Sequence, residues 1–142
     1  MNKKKVVIDW SYPICYGHAY EKEVMLNKGL YYISRLFGDK ETLIYIGKTM
    51  DCYWNRLKSH EENWLNDVKG QKYVRFGIIK TPEDYDNDFL EDVESAIIYE
   101  MQPKYNYMKT CSYTYRSGYL LSIENSGYHG VLPRYINSED HL

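Results

Sequence analysis

The alternation of apolar and polar positions divides the chain into short blocks. Val6 to Trp10 reads as a short strand, and Ala19 to Leu26 as one or two helical turns. Residues 29–34 and 42–47 are rich in Tyr, Ile and Leu, the composition of strands. Between them Gly38, Asp39, Lys40 and Glu41 supply turn chemistry, so the pattern predicts an antiparallel hairpin. Asp51 then offers a helix N-cap. Trp54, Leu57, Trp64 or Leu65, and Val68 recur at helical spacing, predicting a helix over about residues 51–69 that closes near Gly70. Val74, Phe76 and Ile78 alternate along residues 73–79 and mark a third strand.

Asp84, Asp86 and Asp88 crowd the start of the next helix, where negative charge suits the macrodipole. Leu90, Val93, Ile97 and Met101 form its apolar stripe, and Pro103 ends it. After Asn106 the pattern changes. Tyr113 to Tyr115 and Tyr119 to Ile123 read as strands, and Asn125, Ser126 and Gly127 as a turn before Tyr128 to Leu132. The expected fold is α/β (α+β): a small antiparallel three-stranded sheet flanked by helices, with a C-terminal β-hairpin extension. The expected organisation is an N-terminal extension over residues 1–28, a core over 29–106, and the hairpin over 107–142, packed on the same domain.

The length of 142 residues suits one domain with a single modest core. No apolar run approaches the length that spans a bilayer, and Asp9 interrupts the apolar run after Lys3, Lys4 and Lys5 too early for a signal peptide. The expectation is a soluble intracellular, cytoplasmic protein without a membrane partner. Three cysteines, Cys15, Cys52 and Cys111, show no paired zinc-site spacing and are expected to be reduced thiols.

Charge changes the picture once it is taken locally. The net charge is −2, yet residues 28–80 hold ten Lys or Arg against six Asp or Glu. Residues 81–102 hold eight Asp or Glu and no Lys or Arg. A basic middle therefore lies beside an acidic helix, and phosphate binding depends on the local face rather than on the total. Tyrosine is over-used, with 17 residues. Tyrosine combines apolar bulk with a polar tip, which suits either core edges or a binding surface.

Candidate chemistry gathers in the middle of the chain. Tyr31 and Tyr45 lie in the two strands of the hairpin, within Gly29-Leu30-Tyr31 and Tyr45-Ile46-Gly47, and Lys48 follows directly. Arg56 and His60 are four apart and share one helix face. Glu94 falls on the same side of its helix as Leu90, Ile97, Ile98 and Met101, where a carboxylate is costly unless it is paired or metal-bound. Taken singly, each residue has an ordinary structural role: packing for the tyrosines, a solvated helix face for Arg56 and His60, an ion pair for Glu94, a turn for Asn106.

Their order and spacing together resemble the GIY-YIG nuclease family. The two tyrosine–glycine tripeptides resemble its defining halves, with Leu30 in place of isoleucine. Arg56 and His60 match its Arg-x3-His, Glu94 its single acidic metal ligand, and Pro103 and Asn106 its Pro-x-x-Asn. The resemblance covers residues 29–106. It implies metal-dependent hydrolysis of a DNA phosphodiester, with Mg2+ or Mn2+ held by Glu94 and Arg56 on the phosphoryl oxygens. It further implies Tyr31 as first choice to activate water, with Tyr45 sharing that task, and His60 as a hydrogen-bond partner or proton-transfer group. Lys48 and Asn106 then contact substrate or order the site. DNA is the implied partner, and a double-strand break would require a homodimer or sequential nicking. A DNA-binding or structural module without turnover, and an RNA-directed hydrolase, are the alternative readings.

Overall fold

The computed structural model describes residues 2–106 and 119–141. Ten elements follow one another: β1 (Lys3–Trp10), β2 (Ile14–Cys15), a single helical turn α1 (Tyr16–Ala19), β3 (Gly29–Phe37), β4 (Lys40–Thr49), α2 (Tyr53–Asn63), β5 (Gln71–Thr81), α3 (Asn87–Met101), β6 (Leu120–Gly127) and β7 (Tyr135–Asn137). Short 3-10 turns cover Glu23–Leu26, Leu65–Asp67 and Ser138–His141.

The sheet corrects the expected small three-stranded one. Among the described residues it has seven strands, in the order β4-β3-β5-β1-β6-β7, with β2 also pairing to β5. Strands β4, β3 and β5 are antiparallel neighbours, but β1 continues the sheet beyond β5, and β6 lies parallel to β1 from Lys3↔Leu120 to Trp10↔Gly127. The sheet is therefore mixed, and β6 and β7 are its strands rather than a hairpin extension outside it. The physical reason is burial: Val6, Ile8 and Trp10 share one core cluster with Leu121, Ile123 and Ile136, apolar surface that a three-stranded sheet would leave exposed.

Local expectations shift in the same region. Asn125 to Gly127 complete β6 instead of forming a turn, and Tyr128 to Leu132 form the loop to β7. Asn125 is held in the strand by partners far along the chain: its Oδ1 accepts from Trp10 Nε1 at 2.9 Å, and its Nδ2 donates to Pro133 O at 2.9 Å. The strand expected at Tyr113 to Tyr115 lies outside the described residues.

Alternate residues of β3 enter opposite sides of the sheet. Leu30 and Tyr32 join the cluster that holds Leu90, Val93 and Ile97 of α3. Tyr31 and Ile33 join the one that holds Tyr53 and Leu57 of α2. The sheet is thus covered on both faces, which is why β3 reads as an unbroken apolar run. Helix α2 is shorter than its periodicity suggested. Its N-cap is Cys52, without a side-chain bond, while Asp51 accepts instead from Asn55 Nδ2 at 2.7 Å. At its other end Trp64 leaves helical geometry, and Lys72 Nζ donates to the carbonyls of Leu65 and Val68. Helix α3 begins at a capping bond, Phe89 N to Asp86 Oδ1 at 2.8 Å, and ends at Gln102, which is left-handed just before Pro103.

Candidate functional site

The site forms over β4, one outer strand of the sheet. Edge strands present unpaired backbone groups. Here the segment after α3 covers them: Tyr105 N donates to Ile44 O, and the side chain of Asn106 answers Ile46 twice. Its Oδ1 accepts from Ile46 N at 2.9 Å, and its Nδ2 donates to Ile46 O at 2.8 Å. Asn106 thus imitates one residue of a further strand and fixes the backbone beside Tyr45 and Gly47.

The two glycines of the hairpin are set by close approach. Gly29 has φ +142°, and a Cβ there would meet Gly77 O at 2.8 Å and the Tyr53 hydroxyl. Gly47 pairs with Tyr31 across the ladder, and a Cβ on Gly47 would run into the Tyr31 ring and hydroxyl. The missing side chain lets the ring of Tyr31 lie flat across β4, with the ring of Tyr45 stacked beside it at 6.1 Å and 24°.

A cleft of about 550 Å³ opens next to these rings. Its lining includes Tyr45 and Lys48 from β4, Arg56 from α2, Glu91 and Glu94 from α3, and Asn106. Side chains from both faces of the sheet therefore meet around its outer strand. Arg56 lies close enough to Tyr31, Tyr45 and Glu94 for its positive charge to act on all three. Lys48 Nζ donates to Asn87 Oδ1 at 3.0 Å, at the first residue of α3.

The two tyrosines are not equivalent. Tyr31 has no exposed surface and stands behind the cleft, whereas half-buried Tyr45 lines it. Burial raises Tyr31 well above the ordinary tyrosine value, with the neighbouring Tyr45 adding to the shift and Arg56 opposing it. Tyr45 is also raised, by burial first and then by Glu94, against the opposing influence of Arg56 and Tyr31. In the protein alone, desolvation of both phenols outweighs the positive charge of Arg56.

His60 is buried and sits between two partners. Its Nε2 lies 2.6 Å from the Tyr31 hydroxyl, and its Nδ1 accepts from Trp64 Nε1 at 2.8 Å. Burial, aided by the positive charge of Arg56, lowers His60 to about 4, so the ring is neutral at physiological pH.

Glu94 is 7% exposed, with Glu91 one turn before it on the same cleft. Among the described residues no group of three or more His, Cys, Asp or Glu gathers as a metal cage. The donors the cleft does offer are carboxylate oxygens in an open space. That fits a hard divalent cation that retains waters and takes the rest of its shell from a phosphate.

The arrangement brings together every residue singled out from the sequence, in three tiers. Tyr45, Lys48, Arg56, Glu94 and Asn106 line the cleft, Tyr31 lies behind Tyr45, and His60 backs both, its ring 4.7 Å from that of Tyr45 and its Nε2 on the Tyr31 hydroxyl. Sequence reasoning gave no site role to Glu91 or Trp64. The signal for each was spacing: Glu91 stands three residues before Glu94, and Trp64 four residues after His60. Comparison of the chain with protein-family models, with curated proteins and with solved structures gave no match.

Proposed function

We propose that this chain is a DNA endonuclease of the GIY-YIG type, hydrolysing a phosphodiester bound in the cleft over β4. The observation that carries the proposal is convergence: Tyr31, Tyr45, Arg56 and Glu94 come from four different elements, and their charges and hydroxyls interact at one place. Core packing alone does not call for an arginine, a buried carboxylate and two phenols to meet beside an open cleft.

In this reading Arg56 receives the phosphoryl oxygens, because its planar fork matches them and donates without deprotonating. Lys48 lies on the same rim and adds positive charge for the flanking backbone. Glu94 would hold the divalent ion, Mg2+ or Mn2+, whose Lewis acidity serves the departing 3′-oxygen. Tyr45 takes the role first expected of Tyr31, accepting the proton of the attacking water, since its side chain is the one that lines the cleft. Arg56 and Tyr31 beside it favour the ionised form. A phosphate in the cleft would draw Arg56 partly away, so the contribution of Tyr31 grows as substrate binds.

One observation favours a second reading, a DNA-binding module without turnover: burial holds both phenols neutral in the chain alone. Supercoiled plasmid separates the two. Nicking or linearisation that needs Mg2+ supports the enzyme, and a gel shift without strand breaks supports the binder. Running a matched RNA substrate beside the DNA tests the nucleic acid class.

A further inference from the structure

We propose that Trp64 is a positioning residue of this site: its indole N–H fixes the tautomer of His60, and through it turns the hydroxyl of Tyr31 toward Tyr45. The inference rests on the nuclease reading for its consequence, but its structural half stands apart from any activity.

Trp64 follows the last residue of α2. Its backbone, at φ −151° and ψ −28°, departs from the helix, and its indole N–H reaches Nδ1 of His60, one turn earlier. The ring is held in place by Tyr105, stacked at 5.0 Å and 17°, and by Tyr45 at 5.3 Å. An indole nitrogen can only donate a hydrogen bond. Nδ1 must therefore be bare, and a neutral imidazole then carries its hydrogen on Nε2. Nε2 faces the Tyr31 oxygen at 2.6 Å, so His60 donates and Tyr31 accepts.

The direction of that bond decides the next one. Tyr31 is fully buried, so its own proton must find a protein acceptor. Arg56, whose charge acts on Tyr31, has only donors. The oxygen of Tyr45, on the ring stacked beside that of Tyr31 at 6.1 Å, is the acceptor that remains. The chain thus runs in one sense, from Trp64 to His60 to Tyr31 to Tyr45, and ends on the phenol that lines the cleft. The opposite tautomer would set two N–H groups against each other at Trp64. It would also invite the Tyr31 proton onto Nε2, leaving Tyr45 without that donor. Only in the first arrangement does Tyr31 join Arg56 in favouring a tyrosinate at Tyr45.

The test replaces the indole N–H and little else. Two variants serve: Trp64→Phe, and substitution of Trp64 by the benzothienyl analogue of tryptophan, which keeps the ring outline in case the smaller side chain fails to fold. Ring-nitrogen NMR of His60 reads the tautomer directly, and single-turnover plasmid nicking reads the chemistry. In the wild type, Nε2 should be protonated and Nδ1 bare. In the variants the tautomers should mix, and nicking should slow about tenfold, the worth of one hydrogen bond of ~1.4 kcal/mol, with DNA affinity unchanged. In a His60→Gln background, whose amide can donate to Tyr31 unaided, Trp64→Phe should change the rate by less than about twofold, the signature of a shared pathway. A wild-type His60 protonated on Nδ1 would overturn the proposal. So would slower nicking with no change of tautomer, which would make Trp64 a packing residue. If the wild type cleaves no DNA, the nuclease reading fails, and the spectra alone decide whether Trp64 sets the tautomer.

Discussion

Gly47 lies directly opposite Tyr31 in the β3–β4 ladder, and the phenol ring of Tyr31 occupies the space a side chain at Gly47 would fill. The two tripeptides are therefore one packing device: the glycine of the second makes room for the tyrosine of the first. Gly47→Ala should force Tyr31 aside or split the strand pair, costing about 1–3 kcal/mol by overpacking. Urea unfolding should show the lower midpoint, and nicking should fall with it. An unchanged midpoint would mean that the strands flex enough to accept the methyl group.

Asn106 closes the outer strand beside the site. Asn106→Ala leaves the N–H and C=O of Ile46 without their partners, and a loss of about 2 kcal/mol is expected. Asn106→Asp should fare no better, because a carboxylate satisfies the N–H but turns an oxygen toward the carbonyl. If the aspartate variant matched wild type in thermal unfolding, the two-way amide contact would not be what holds the segment.

His60 gives stability a pH dependence with a definite sign. Its neighbours are Arg56 and Trp64 near it on the chain, Tyr31 on β3 and Tyr45 on β4. Its folded-state value is about 4, below the ordinary 6.5. Between those two values the unfolded chain binds a proton that the folded protein refuses. Stability should therefore be constant from this source above pH ~6.5, decline as pH falls toward ~4, and level off below. The measurement is the difference in unfolding free energy between wild type and His60→Gln across that range, which removes the shared carboxylate titration. A flat difference would place His60 in water rather than in the core.

Arg56→Ala should lower single-turnover cleavage by roughly 10²–10³-fold, the usual loss for one preorganised charge donor. Arg56→Lys should recover little, because a point charge cannot reproduce the planar fork that matches phosphoryl oxygens. Wild-type rates in either variant would remove Arg56 from the reaction.

The local elements were legible because their signals are local. The β3 and β4 strands, the Asp-rich start of α3 and its stop at Pro103 follow from composition and caps within a few residues. The sheet was not legible, because pairing β1 with β6 joins residues more than a hundred positions apart, and nothing in Val6 to Trp10 names its partner. Asn125, a turn former by propensity, was drawn into β6 by Trp10 and Pro133. The site residues were legible as an ordered set. Their depth was not: the two rings stack on one face of the sheet, and Tyr31 is hidden while Tyr45 lines the cleft because Tyr31 stands one strand further in, on β3.

The central claim is that Glu94 makes the cleft a metal-dependent nuclease site, and it is tested most directly by nicking of supercoiled plasmid by Glu94→Gln. Glutamine keeps the shape of the side chain but is a weak ligand for a hard cation. The comparison is wild type with Mg2+, wild type with EDTA, and Glu94→Gln with saturating Mg2+, each checked for native unfolding behaviour and DNA binding. The account predicts nicking in the first case alone, with DNA binding retained in all three. Nicking by Glu94→Gln at the wild-type rate, or wild-type nicking that persists in EDTA, would contradict it.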